Sequence, residues 1–159
     1  MGGKKVGKNP PDRGQIGAKR SVLTEGGGVP IGLAVEGANR NDFKMARETI
    51  ASIPVKRPAP TPAMPQGMCL DKGYDYDEVR DLLAEFGFTA HIRARGEEAK
   101  ALKQDAGFRA RRWVVERTHS WMNRFRRVLI RWDKKVCNYL GFLHVACAYI
   151  TYRQAGLLG

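Results

Sequence analysis

The sequence predicts a mixed α/β fold in which a sheet is flanked by helices. Short apolar runs bounded by glycine or proline alternate with segments of helical spacing, in the order strand, strand, helix, strand, helix, strand, helix, helix. The chain has 159 residues, a length typical of one domain, and 43% of them are apolar, which is enough for a core. Its basic residues fall in two blocks around a near-neutral middle. These observations favour a domain that binds a polyanion.

Apolar periodicity and turn residues define eight elements. Before them, residues 1–18 are rich in Gly, Pro, Lys and Arg, which predicts an irregular basic arm, and residues 19–159 form the domain. The predicted strands are Lys19–Thr24, Val29–Glu36, Met68–Leu70 and Phe88–Ile92. The predicted helices are Phe43–Ile53, Asp75–Phe86, about Arg109–Lys134 and about Asn138–Arg153.

Turn chemistry justifies the first elements. The first two strands are joined by Glu25–Gly28, whose glycines adopt positive φ freely, so we expect a hairpin. The first helix follows Asn41 and Asp42, either of which suits its N-cap. The five prolines of Pro54–Pro65 exclude a helix interior or a central strand, and they predict a surface connection.

Helical spacing justifies the later elements. The second helix has an apolar stripe and ends at Gly87, and the polar residues 93–108 after the fourth strand predict a mobile segment. At 100° per residue, the third helix has one apolar face, formed by Val114, Trp121, Phe125, Val128 and Trp132. Its opposite face is polar and comprises Arg109, Arg112, Glu116, Ser120, Asn123 and Arg127. The last helix is apolar on nearly every side, which predicts burial.

Charge and composition narrow the class of partner. The formal net charge is +12; residues 1–20 carry six Lys or Arg and one acid, and residues 109–135 carry ten and two. Such blocks suit phosphate contacts, although a solvated basic face also explains the first block. No apolar run reaches the ~20 residues of a membrane span, and no secretory signal is expected. Three cysteines without a close pair argue against a disulfide framework and a thiolate zinc site. We expect a soluble, cytoplasmic protein.

Two acids occupy positions suited to metal chemistry. Asp71 follows an apolar strand, and ligands collect beyond the carboxyl ends of strands in α/β sheets. Glu116 is the only acid on the cationic face of the third helix. Structural alternatives are that Asp71 or Asp75 caps the next helix, and that Glu116 makes a surface contact with Arg112 or Ser120. Two carboxylates that shared divalent cations would support an in-line phosphoryl transfer.

Several motifs resemble those of a known family. They are GKNPPDRG at residues 7–14, GAKRSVLT at 17–24, GANRND at 37–42, DKGYD at 71–75 and RWVVERTHSW at 112–121. The sequence is similar, over almost its whole length, to the DDE transposases of bacterial insertion sequences, in the group that includes the insertion-sequence 5 elements. The resemblance implies a ribonuclease H-like catalytic domain. In such a domain Asp71 and Glu116 are the second and third catalytic acids and hold two Mg²⁺ or Mn²⁺ ions, and Arg112 matches an arginine that the family places four residues before the Glu.

The resemblance also implies an incomplete site. The family's first catalytic Asp lies on a central strand upstream of the GKNPPDRG-like motif, and this chain begins just before that motif. Neither Asp12 nor Asp42 suits the role, so we expect the C-terminal part of a catalytic domain whose sheet lacks its first strand. Two explanations stay open: a remnant of a decayed element, or the second reading frame of a two-frame element that is active as a fusion. Alone, the chain is expected to be inactive and to bind DNA weakly and nonspecifically.

The implied function is DNA transposition by end nicking and strand transfer. The predicted DNA contacts are Arg112, Arg117, Arg124, Arg127, Lys72 and Trp113. The expected DNA partners are the element ends and the target. The expected protein partners are the upstream reading-frame product, an intact transposase or a further copy of the chain. The expected location is the bacterial nucleoid. The alternatives are a noncatalytic DNA-binding fragment and, from another class, a nuclease or a basic ribosome-associated protein.

Overall fold

The computed structural model describes residues 4–9, 14–92 and 112–156. The chain divides into two compact units, Met1–Pro54 with Val114–Gly159 and Val55–Trp113. The fold is mixed α/β, as predicted. Within the described ranges the strands form two sheets, one antiparallel and one parallel, where the sequence predicted a single mixed sheet.

The antiparallel sheet belongs to the first unit and has the order β1-β2-β3. Strand β1 is Gly7–Lys8, β2 is Ile16–Thr24 and β3 is Pro30–Gly37. The predicted β2–β3 hairpin is confirmed, and its turn ends at Gly28 with φ +91°. The region predicted to be irregular contains β1 and the start of β2, because Gly7 pairs with Gly17 and Lys8 with Ile16 in an antiparallel arrangement.

The first helix lies where it was predicted but is shorter. A 3-10 turn over Asp42–Met45 leads into α1, Ala46–Ala51. Asn41 occupies the extended position before the turn, yet its side chain makes no capping hydrogen bond. The buried side chains of Met45 and Ile50 hold this helix against the hairpin.

The prediction of one long third helix over about Arg109–Lys134 is wrong. Helix α3 spans Arg112–Asn123, and a short helix α4 spans Arg126–Leu129; residues 109–111 lie outside the described part. Phe125 between them is extended, with φ −86° and ψ 99°. Trp132, predicted to face the core, is 64% exposed as a result.

Side chains distant in sequence stabilise this break. Tyr139 Oη donates to the Val128 carbonyl oxygen at 3.1 Å, and Arg20 Nη1 approaches the same oxygen at 3.4 Å. Arg20 Nη2 also donates to Asn123 Oδ1 at 2.9 Å. The bonds to Val128 satisfy a carbonyl group that the end of α4 leaves without a helical donor, and the bond to Asn123 holds the end of α3.

The last helix, α5, spans Val136–Gln154 and forms the centre of the first core. The core cluster comprises Leu33, Val35, Met122, Val128, Tyr139, Leu143, Ala146 and Ile150. The prediction that this helix is buried on nearly every side is wrong, since only one stripe faces the core. Large side chains on its other faces stay exposed, namely Phe142, Val145, Tyr149 and Tyr152. No helix of the described ranges is long and apolar enough to cross a membrane.

The second unit is a parallel βαβ arrangement. Strand β4 (Gly67–Leu70) pairs in register with β5 (Thr89–Ile92), and α2 (Asp77–Glu85) connects them. All three elements were predicted, although α2 begins two residues later. Gly87 ends the helix region with φ +74°. The proline-rich connection contains no helix or strand, as predicted, and the segment predicted to be mobile, 93–108, lies outside the described residues.

Candidate active site

Asp71 lies directly beyond the carboxyl end of β4, as the sequence predicted. The backbone turns there into a 3-10 helix over Lys72–Tyr74, and Asp71 Oδ1 accepts a hydrogen bond from Gly73 N at 2.8 Å. The side chain is exposed, and within the described residues its other oxygen makes no hydrogen bond. Asp71 therefore caps this turn and still presents a carboxylate oxygen of the kind that hard cations prefer.

Asp75 does not cap α2. The helix begins at Asp77 with Tyr76 at the N-cap position, and Asp75 Oδ1 instead pairs with Arg80 Nη2 at 2.5 Å. The capping alternative raised for Asp71 and Asp75 thus applies to Asp71 alone. Lys72, a predicted DNA contact, is exposed in the 3-10 turn beside Asp71.

Glu116 is exposed on α3, opposite the buried side chains of Val114, Thr118 and Met122. The surface contact with Ser120 that the sequence left open does not occur, and the side chain of Arg112 lies outside the described residues. Within those residues the Glu116 carboxylate makes no hydrogen bond and no ion pair, so its oxygens are available to a ligand. The burial pattern explains this placement, because an i, i+4, i+8 stripe turns Glu116 outward.

The two residues after Glu116 fix the helix to the β2–β3 hairpin. Thr118 is fully buried, and its Oγ1 donates to the Gly28 carbonyl at 2.6 Å. Arg117 donates to the Gly27 carbonyl, and its guanidinium lies 4.8 Å from the Trp121 ring centroid. The guanidinium of Arg117, a predicted DNA contact, is therefore engaged within the fold.

The remaining predicted DNA contacts have different surroundings. Arg124 is exposed and, within the described ranges, its side chain makes no hydrogen bond or ion pair. Arg127 pairs with Asp133 at 3.1 Å, and its guanidinium lies 5.1 Å from the centroid of the Phe142 ring. Because α3 ends at Asn123, Arg127 does not lie on the same helix as Glu116, although the sequence had predicted that it would. Trp113 is 42% exposed.

The two candidate acids belong to different units of the structure. Asp71 lies in the unit Val55–Trp113, and Glu116 lies in the other. Within the part of the chain that the structure describes, no three His, Cys, Asp or Glu side chains are grouped as a metal site. That Asp71 and Glu116 meet in one site stays a prediction.

Sequence reasoning missed one feature of the first unit. A cleft of about 330 Å³ opens between the end of α3 and the C-terminal part of α5, with three aromatic and two arginine side chains in its lining. Helical spacing placed Trp121 and Phe125 in the core and α5 in the interior, which concealed the cleft. The available signal was Arg153 near the end of α5, four residues after Tyr149 and therefore on the same side of the helix.

Taken together, the fold and these residues define a mixed α/β protein with exposed carboxylates at a strand end and on a basic helix. The chain matches the model of the transposase DDE domain family over residues 2–151, and it therefore belongs to that family. The process it serves is DNA transposition.

Two relatives are similar to the chain. A protein of Burkholderia cepacia assigned as the transposase for insertion sequence element IS402 is 33% identical over 150 residues, which cover 93% of this chain and 69% of the relative. A protein of Brucella ovis assigned as the transposase for insertion sequence element IS6501 is 30% identical over 84 residues, covering 52% of this chain and 65% of the relative. No solved structure matches the chain significantly.

Proposed function

We propose that this chain contributes two of the three acids, Asp71 and Glu116, to the two-metal site of a DDE transposase that nicks element ends and transfers strands. One observation carries the proposal: in a chain of this family, both acids of the two matching motifs are exposed and retain carboxylate oxygens without a partner in the described residues. The neighbouring residues, by contrast, are engaged in the fold. That contrast is expected of carboxylates kept for a ligand.

The donor set fits Mg²⁺ or Mn²⁺. Both metals prefer carboxylate oxygens, and each leaves coordination positions for water and substrate phosphate. Asp71 and Glu116 would hold the ions, and the bound ions would supply the Lewis-acid chemistry that in-line phosphoryl transfer requires. The Gly73 N–H fixes one oxygen of Asp71, so the carboxylate is oriented before a ligand binds.

A third carboxylate has to complete the site, and we propose that it comes from the strand that the resemblance places upstream of residues 7–14. The sheets of the structure are compatible with an added strand. Residues Ala18–Thr24 of β2 pair with β3 along one edge, and no described strand pairs with their other edge. Strand β4 pairs only with β5 among the described strands. An added strand would pair with such an edge and complete a ribonuclease H-like sheet of the insertion-sequence 5 group.

Cationic side chains would hold the DNA backbone beside the acids. Lys72 adjoins Asp71, and the guanidinium group of Arg124 is exposed without a partner in the described residues. Arg112, Arg127 and Trp113 complete the proposed contacts, with Arg117 acting through its anchoring of α3. The proposed substrates are element ends and target DNA, in the bacterial nucleoid.

The test joins the chain to the product of the upstream reading frame and measures strand transfer of an element-end duplex with Mg²⁺. Asp71→Asn and Glu116→Gln keep the shape of each side chain and are expected to abolish strand transfer while preserving the thermal unfolding midpoint. Matched controls are Asp77→Asn and Glu78→Gln, two exposed acids of α2, which are expected to retain activity.

The possible results separate the proposal from its rivals. Full activity in both site variants would show that the assignment of the acids is wrong. DNA binding without cleavage by the fused wild-type protein, in Mg²⁺ and in Mn²⁺, would favour a noncatalytic DNA-binding protein.

A further inference from the structure

The cleft between α3 and α5 has the composition of a nucleotide site. Its lining contains the aromatic residues Trp121, Phe125 and Tyr149 and the basic residues Arg124 and Arg153, with Ile150 and Gln154. All belong to one compact unit. Its volume of about 330 Å³ lies at the lower end of the range for small-molecule pockets, ~300–1,000 Å³.

The fold holds the aromatic rings in place. Phe125 and Tyr149 pack edge to face with ring centroids 5.6 Å apart, and the Arg117 guanidinium lies over the Trp121 ring. Ile150 is buried at the base of the cleft, while Tyr149 remains 46% exposed. An aromatic surface fixed in this way loses little conformational entropy when a planar ligand stacks on it.

The charge of the cleft selects an anionic ligand. Arg124 and Arg153 are exposed, and within the described residues neither guanidinium group makes a hydrogen bond or ion pair. Among the residues that the structure describes, no acidic side chain lines the cleft. Aromatic rings with flanking guanidinium groups are the combination by which proteins bind unpaired nucleotides, since every base has a stackable face and every nucleotide carries a phosphate.

We propose that this cleft binds one unpaired nucleotide of DNA, with its base against the aromatic residues and its phosphate held by Arg124 and Arg153. A fully paired duplex hides the faces of its bases in the stack, so the cleft would favour DNA with a base that is unpaired or extruded. The inference rests on the proposed function only in taking DNA as the partner.

The test measures binding by the full chain in EDTA, which removes any contribution from a metal site. Three fluorescent DNAs are compared: a paired duplex, the same duplex with one bulged nucleotide, and a single strand. The wild-type protein is expected to bind the bulged duplex roughly tenfold more tightly than the paired duplex, as one stacked base predicts. Tyr149→Ala is expected to remove that preference, and Tyr149→Phe to retain it.

Matched variants distinguish the effect of cleft residues from that of positive charge elsewhere and from that of other exposed aromatic residues of α5. Arg153→Ala and Arg124→Ala are expected to reduce the preference for the bulged duplex. Arg126→Ala removes an exposed arginine outside the cleft and is expected to weaken binding to both duplexes equally. Tyr152→Ala removes a similarly exposed tyrosine of α5 outside this cleft and is expected to leave the preference unchanged.

Several results would overturn the cleft assignment. One is an equal wild-type affinity for the paired and bulged duplexes, and another is a preference that persists in Tyr149→Ala. Competition by free deoxynucleoside monophosphates at the affinity of the single strand would make the cleft a mononucleotide site instead. Any of these results with intact duplex binding leaves the transposase proposal standing, whereas failure to bind any DNA would contradict both.

Discussion

Thr118 Oγ1 donates a hydrogen bond of 2.6 Å to the carbonyl oxygen of Gly28, a residue 90 positions earlier in the chain. The same hydroxyl group lies 3.1 Å from the Val114 carbonyl of its own helix. This contact joins the helix that carries Glu116 to the turn of the β2–β3 hairpin. Because Thr118 is fully buried, the hydrogen bond is shielded from solvent. The hydroxyl therefore sets the height and rotation of the helix at the candidate acid.

Replacing the Thr118 hydroxyl with a methyl group tests this link. Thr118→Val keeps the side-chain shape but leaves the Gly28 carbonyl without its donor, and we expect a loss of about 1–3 kcal/mol in the free energy of unfolding. Urea denaturation measures the loss. Ser120→Ala, an exposed change on the same helix, should stay within about 0.5 kcal/mol. An equal effect of the two variants would refute a structural role for the buried hydroxyl.

The backbone of Gly28 makes a second prediction possible. Its φ of +91° is unfavourable for other residues, and a Cβ there would lie 2.9 Å from Arg117 Nη2 and 3.3 Å from Thr118 Oγ1. Gly28→Ala should therefore lower the free energy of unfolding by about 1–3 kcal/mol. Gly26→Ala serves as the control, because a Cβ there meets no atom of the described part of the chain within 4 Å. Equal stability of the two variants in thermal unfolding would contradict this account.

Elements determined by local sequence were predicted well. The glycine turn before Val29, the apolar run of β4 and the helical stripe of α2 each reflect neighbouring residues, and the structure contains all three. Asp71 was placed at a strand end for the same reason. Glu116 was placed correctly on the exposed face because the helical period holds over the length of α3.

Features that depend on distant residues were not predicted. The end of α3 is held by Arg20, which donates to Asn123 from 103 residues away, so the sequence around the break does not contain this partner. The cleft between α3 and α5 has both Trp121 and Tyr149 in its lining, and this arrangement depends on how the two helices pack. Packing also explains why α5 buries only one stripe, although its sequence is apolar almost throughout.

His119 should make stability depend on pH. Burial, and secondarily the charge of Arg20, lowers the pKa of His119 below its ordinary value of 6.5. As the pH falls, the imidazole of His119 is therefore protonated in the unfolded chain before it is protonated in the folded protein. The free energy of unfolding is accordingly highest above pH 6.5 and decreases as the pH falls from 6.5 towards the pKa of the folded protein. Urea denaturation at about pH 7.5 and about pH 5.5 measures the loss.

Variants assign that pH dependence to one residue. His119→Gln removes the titrating group, so its stability should fall less between the two pH values than that of the wild-type protein. His144→Gln alters an exposed histidine of α5 and should preserve the wild-type difference. If His119→Gln kept the full difference, the dependence would have to come from other groups.

The cysteines should differ in their rates of alkylation. Burial raises the pKa of the Cys147 thiol to about 11, with Arg20 opposing the shift, whereas Cys69 and Cys137 are exposed. Because the thiolate is the nucleophile, iodoacetamide at about pH 8 should modify Cys147 about tenfold or more slowly than the exposed pair. Mass spectrometry of peptides gives each rate. In concentrated urea all three rates should converge, since unfolding removes the burial. Equal rates in the native protein would show that Cys147 is accessible and ionises normally, which is incompatible with its half-buried position beside the α5 core.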